Sequence, residues 1–144
     1  EQYQKTLNNI SINQLTKSIQ RHPDTSFYSY RAYVYLLINN PDQAISDCSK
    51  AIEIDPNNGQ AYNNRAAAYQ KKGDFDKAIS DCNRAIEINP DVPFFYKNRA
   101  FSYFSKKEYD RSWQDVHKVE SLGFETSSFA EFISMLKKAS GREK

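Results

Sequence analysis

The sequence is poor in the residues that usually carry chemistry. Two histidines, two cysteines, one tryptophan and one methionine are all that 144 residues contain. A nucleophile, a general base and a carboxylate to orient it cannot be assembled from so few. The four glycines are scattered singly, so there is no glycine-rich loop to cradle a phosphate. No apolar run approaches the roughly 20 residues that a membrane span needs. An excess of one charge is missing as well: the net charge is +2, and like charges form no block beyond lysine pairs. That argues against a nucleic-acid surface built on bulk electrostatics. The chain begins at Glu1 rather than Met, so a processed or partial chain is expected, and no signal sequence is visible. No catalytic residue, cofactor or metal is expected.

What the sequence has in abundance is repetition. Residues 59–92 read GQAYNNRAAAYQKKGDFDKAISDCNRAIEINPDV, and the same pattern falls on residues 25–58 and 93–126. All three windows share Tyr28/Tyr62/Tyr96, Arg31/Arg65/Arg99, Ala32/Ala66/Ala100, Tyr35/Tyr69/Tyr103, Asp42/Asp76/Asp110 and Asp47/Asp81/Asp115. A fixed period of this length marks a stacked helical array, and about three units are needed to bury a continuous core.

Each unit reads as a helix hairpin. Tyr62, Ala66 and Tyr69 form one stripe of a first helix. Gly73 can end it in the left-handed conformation, and Asp74 can cap the second helix. That helix carries Phe75, Ala78, Ile79, Cys82, Ala85 and Ile86 on one face and stops at Asn89-Pro90. Ala66 and Ala78 let the two backbones approach, and the aromatics fill the gaps between hairpins. Cys48 and Cys82 sit at equivalent places in neighbouring hairpins. Packed helices lie 8–10 Å apart or more, beyond the roughly 7 Å reach of a disulfide, so both are read as free, buried thiols. With His117 they lie on three successive second helices, which makes a poor metal site.

Small, aromatic and proline positions at this spacing resemble the tetratricopeptide repeat, over residues 25–126. The resemblance implies an all-α, right-handed superhelical solenoid of antiparallel hairpins, with repeats at 25–58, 59–92 and 93–126 in a single domain spanning 1–144. Residues 1–24 fit a degenerate preceding half-repeat. Ser11, Ile12, Leu15, Ser18, Ile19 and Pro23 keep the spacing of Ala78, Ile79, Cys82, Ala85, Ile86 and Pro90, so a helix is expected over 11–21, with a short helix or frayed end before it. In the first repeat Asn39 stands at the Gly73 position, and Pro41 opens the second helix. The third repeat departs further, with Lys107, Ser112 and Val119 at the Gly73, Ala78 and Ala85 positions. Residues 127–140 read as a capping helix. Ser128 and Glu131 form a capping box, Phe129, Phe132, Ile133 and Leu136 form its stripe, and Glu125, Lys137 and Lys138 face water. Residues 141–144 should fray.

Arg31, Arg65 and Arg99 each precede an aspartate by 16 residues. Their strict co-repetition favours an Arg–Asp pair inside each hairpin over a row of arginines gripping anionic ligands. A pair reaching 18 residues, from Asp47 to Arg65, stays open. Lys71-Lys72 and Lys106-Lys107 suit the C-terminal ends of first helices, where the dipole favours cations.

The resemblance further implies that first helices line a concave, peptide-holding groove. Here that groove comprises Ser26, Ser29, Tyr30, Tyr33 and Leu37; Gln60, Asn63, Asn64, Ala67 and Lys71; and Phe94, Lys97, Asn98, Phe101 and Ser105. Asn64 and Asn98 offer amides to a peptide backbone, and the aromatics offer stacking surfaces. One subgroup of the family clamps the terminal carboxylate of chaperone tails with a Lys/Asn pair, a middle Asn and a Lys/Arg pair. Only the middle Asn is matched, at Asn64. Ser29 and Tyr33 replace the first pair, and Phe94 and Asn98 the last. The expected function is a non-enzymatic protein-interaction module that binds a peptide, with neither nucleic acid nor membrane as partner. The alternatives are a self-associating, homo-oligomeric scaffold and the interaction domain of a larger multidomain protein or enzyme.

Overall fold

The computed structural model describes the backbone of residues 2–124 and 126–142. Among these residues it is all helix: α1 Gln2–Arg21, α2 Thr25–Leu37, α3 Pro41–Ile54, α4 Gly59–Lys71, α5 Phe75–Ile88, α6 Pro93–Ser105, α7 Tyr109–Ser121, a 3-10 turn Thr126–Phe129 and α8 Ala130–Ser140. The helices pair as α2 with α3, α4 with α5 and α6 with α7, and each pair stacks on the next. Successive first helices touch, α2 with α4 and α4 with α6. No comparable contact joins successive second helices among the described residues. The stack therefore curves, with α2, α4 and α6 on its inner side.

Local chemistry accounts for the boundaries. Asp24, Asn40, Asn58 and Asp74 cap α2 to α5, each side chain accepting from a backbone N–H of the first turn. Between first and second helices the chain turns through a left-handed residue at Asn39, Gly73 and Lys107, with φ of 58°, 77° and 62°. Lys107 adopts this conformation without the relief that glycine has, as the drift of the third repeat demands. At α4 the backbone of Gly59 passes close to the end of α5: a Cβ there would stand 2.7 Å from Asn89 Oδ1 and would displace that side chain.

The crossings within hairpins are small and sealed. Ala32, Ala44, Ala66, Ala78, Ala100 and Ser112 are fully buried. Ser112 fits a slot that alanine fills elsewhere because its hydroxyl donates to the Ala100 carbonyl at 2.8 Å. The Arg–Asp pairs lie inside the hairpins. Arg31, Arg65 and Arg99 each grip their aspartate through Nε and Nη2, at 2.6–2.9 Å. Each Nη1 then crosses to the preceding second helix and donates to Thr16, Ser49 or Asn83. The 18-residue pairing is not made.

Both ends differ from expectation. Residues 2–21 form one continuous helix rather than a helix from residue 11 with a separate piece before it. Its Ile19 is buried and its Thr16 receives Arg31, so α1 stands to α2 as α3 stands to α4. At the other end Phe129 occupies the N-cap of α8 with no side-chain cap, in place of the expected capping box. The 3-10 turn carries the chain inward to bury Phe129 instead. The Ser128 side chain and Glu125 lie outside the described residues. Phe129, Phe132 and Leu136 join Ala100, Trp113 and Val116 in one core, with Ile133 packed against it. Gly141 ends α8 in the left-handed conformation, and Arg142 docks on Asp110 at 2.7 Å and over the Trp113 ring. Of the stretch expected to fray, Gly141 and Arg142 are thus held, and residues 143–144 lie outside the described ones.

Candidate functional site: the concave groove

The inner side of the curve is a hollow walled by α2, α4, α6 and α8 and closed at one end by α1. Every first helix presents its aromatic stripe and its Arg–Asp pair in the same way, so the residues between these features project inward. From α1, Ser11, Gln14, Leu15 and Ser18 meet Tyr30 and Tyr33. The next hollow lies between Ser29, Tyr30, Tyr33, Gln60 and Asn64. Tyr33, Asn63, Ala67, Phe94 and Asn98 line the one after it. Gln70, Lys97, Phe101, Phe129, Glu131, Phe132 and Met135 line the last.

The surface of this hollow is apolar where it meets water. Tyr30 is 68% exposed, Tyr33 and Phe94 are each more than half exposed, and Phe101 and Met135 somewhat less. Beneath them lies a floor of amides that are already paired. Asn64 Nδ2 donates to the Ser29 carbonyl at 3.3 Å, and its Oδ1 accepts from Gln60 Nε2 at 2.8 Å. Asn98 Nδ2 donates to Asn63 Oδ1 at 2.9 Å, and Gln70 Nε2 donates to the Asn98 carbonyl at 2.6 Å and to Ser102 Oγ at 2.8 Å. Asn63 and Asn64 are each only 6% exposed. Asn64 was expected to serve a ligand's backbone; its amide instead ties α4 to α2, as that of Asn98 ties α6 to α4.

The charges are sorted between the two sets of helices. No aspartate or glutamate stands on α2, α4 or α6, whereas α3, α5 and α7 each carry three. The arginines of the first helices turn away into their aspartates. Two lysines remain. Lys71 stands at the rim with its Nζ 3.4 Å from Asn39 Oδ1. Lys97 is half-buried and ringed by aromatics, its Nζ 5.0 Å from the centre of Phe129, 5.9 Å from Phe94 and 6.0 Å from Phe124. No carboxylate comes within ion-pair reach of Lys97 among the described residues.

Other chemistry has little to work with. His22 and His117 are exposed on opposite ends of the stack. Cys48 and Cys82 are free and buried, and burial pushes both thiols up to about 12, far from the reactive thiolate. Among the described residues no group of three His, Cys, Asp or Glu side chains converges on one point, and no helix is long and apolar enough to cross a membrane.

The hollows are lined by residues of α2, α4 and α6 that the sequence reading named for a groove, and also by residues of α8 and α1 that it did not name for one. The Phe132–Met135 spacing on α8 was the available signal for the former. Gln70 was legible only as a polar residue near the end of α4.

Against known proteins, the family model of the tetratricopeptide repeat matches residues 26–58 and 59–92. A bovine (Bos taurus) "Protein SGT1 homolog" is 35% identical over 52 residues, which cover 35% of this chain and 15% of that protein. The matched stretch is thus a small part of the curated relative's length. Among solved structures, the first TPR of Spaghetti (RPAP3) bound to HSP90 peptide SRMEEVD has a TM-score of 0.74 at 28% identity, covering 83% of this chain and 92% of that one. The TPR2B domain of yeast Sti1, in a complex with pHsp70, has a TM-score of 0.74 at 27% identity, covering 83% of this chain and 98% of that one.

Proposed function

The chain belongs to the tetratricopeptide repeat family, and from that premise we propose that it is a non-enzymatic interaction module that holds an extended peptide segment of a partner protein in its concave groove. The observation that carries this reading is the line of exposed apolar side chains along the hollows of the inner face: Tyr30, Tyr33, Phe94, Phe101 and Met135. Folded chains rarely leave such a contiguous apolar surface to water without a use for it. The amides beneath are spent on holding the helices together, so the groove is preformed and a ligand pays no ordering cost for its floor. One of the two solved relatives is bound to an HSP90 peptide and the other is in a complex with pHsp70, which supports a peptide as occupant here. The residues at the subgroup's clamp positions, Ser29, Tyr33, Phe94 and Asn98, favour apolar side chains over a terminal carboxylate.

The same apolar surface also favours a second reading, stacking of two copies groove to groove. Binding of an immobilised array of overlapping peptides, with Tyr33→Ser/Phe101→Ser as the control, tests the first reading. Peptide capture by the parent and not by the folded double variant is expected. Sedimentation at two concentrations decides between the readings. A monomer at both supports the peptide groove, and a dimer that the double variant abolishes supports self-association.

A further inference from the structure

We propose that Lys97 is the anion-reading point of the groove, pairing with one Asp or Glu side chain of an internal, otherwise apolar peptide segment. This rests on the peptide-groove reading above and adds the chemistry of the occupant. Four observations converge on it. The walls formed by α2, α4 and α6 contain no carboxylate, so nothing on them compensates a cation. Their three arginines are each held in bidentate pairs with Asp47, Asp81 and Asp115 and have no free fork to offer. The amide donors Gln60, Asn64, Asn98 and Gln70 are likewise engaged. Lys97 is left half-buried against the faces of Phe94, Phe124 and Phe129, partly stripped of water, with no carboxylate in ion-pair reach among the described residues.

A cation in that position attracts a carboxylate more strongly than a lysine on open surface, because less water screens the pair. Two features set the number and the source of that carboxylate. Glu131 lines the same hollow and disfavours a second anion. Apolar surface continues on both sides of Lys97, towards Phe94 and Tyr33 in one direction and towards Phe101 and Met135 in the other. A chain that passes through the hollow covers both surfaces, whereas one that ends at Lys97 leaves one of them bare. The carboxylate is therefore a side chain's, not a terminus.

The test uses two pools of acetylated, amidated and fluorescently labelled peptides with randomised apolar residues around one fixed central position, which is Glu in one pool and Gln in the other. A third pool has Gln at the centre and a free C-terminus. Fluorescence polarisation is read against the parent protein and Lys97→Met, which keeps the apolar stem against the rings. The parent should bind the Glu pool at least about fivefold more tightly than either other pool. In Lys97→Met that preference should vanish while binding of the Gln pool persists. Equal binding of the Glu and Gln pools by the parent, or a Glu preference that survives in Lys97→Met, overturns the role of Lys97 and leaves the peptide groove standing. A preference for the free C-terminus overturns the assignment to a side chain. Failure of the parent to bind any pool overturns the peptide groove itself and Lys97 with it.

Discussion

At Arg65 one guanidinium ties three helices together. Nε and Nη2 hold Asp81 at 2.7 and 2.8 Å within the hairpin, and Nη1 reaches Ser49 of the previous one at 3.1 Å. Both partners are largely buried, so the charge on either side is tolerated only while it is paired. Asp81→Ala should cost about 1–3 kcal/mol, because it strands the guanidinium. Adding Arg65→Ala should cost little more, giving a coupling energy of about 0.5–3 kcal/mol in a double-mutant cycle of urea midpoints. Strictly additive losses would show that the pair contributes nothing as a pair. The buried thiols give a second residue-scale expectation. Burial lifts Cys48 and Cys82 from 9.0 to about 12, so the folded chain keeps protons that the unfolded chain releases. Their contribution is intact below the unfolded value and is lost as pH rises from there towards the folded one, by about 1.4 kcal/mol per pH unit for each thiol. Urea midpoints measured on both sides of that threshold should fall less steeply for Cys48→Ala/Cys82→Ala than for the parent. Parallel slopes would show that the thiols do not titrate on unfolding.

The element that sets the geometry is the hairpin, and its critical dimension is the distance between its two helices. Ala66 and Ala78 meet at the crossing of α4 and α5, both fully buried, with Cys82 beside them and Tyr69 packed against the cluster. A larger side chain there must displace packed neighbours. Ala78→Leu should therefore cost about 1–3 kcal/mol through overpacking, read as a lower denaturation midpoint. An unchanged midpoint would mean that the crossing can open without penalty. The equivalent Ser112 shows how narrow the tolerance is: one oxygen fits there because the Ala100 carbonyl receives it.

For the whole molecule, an array of stacked hairpins exposes an apolar face at each end unless something covers it. At the C-terminal end α8 takes the place that the first helix of another hairpin would occupy, and buries Phe129, Phe132 and Leu136 against Trp113 and Val116. Each such side chain is worth about 1.5–3 kcal/mol on burial. Removing the residues after Thr126 should therefore cost several kcal/mol and promote association, seen as a lower midpoint and a larger sedimentation coefficient. A truncated chain as stable and as monomeric as the parent would refute this. The exposed pairs Lys72–Asp42, Lys106–Asp76 and Arg142–Asp110, one at each junction along one edge, repeat in register but add little, since water and salt screen them.

The hairpins, their turns and their small crossings were legible in the sequence by itself, because each depends on neighbours within 34 residues and the pattern is stated three times over. Gly73 and Asn39 announce a left-handed turn by their residue types, whereas Lys107, which reads as a departure at the same spacing, adopts it too. The Arg–Asp spacing of 16 likewise gave the pair within the hairpin, but not the third bond to Thr16, Ser49 or Asn83, which depends on how one hairpin sits on the last. Stacking also decided the groove. Asn64 and Asn98 read as free amides along the chain, and only the approach of α2, α4 and α6 consumes them. The 3-10 turn before α8 could not be read from a cap motif, because burial of Phe129 against Trp113 and Phe132 outweighs the local capping preference. The same packing brings Phe129 over Lys97 from 32 residues away in sequence, and so sets amid aromatic rings a lysine that has no carboxylate partner among the described residues.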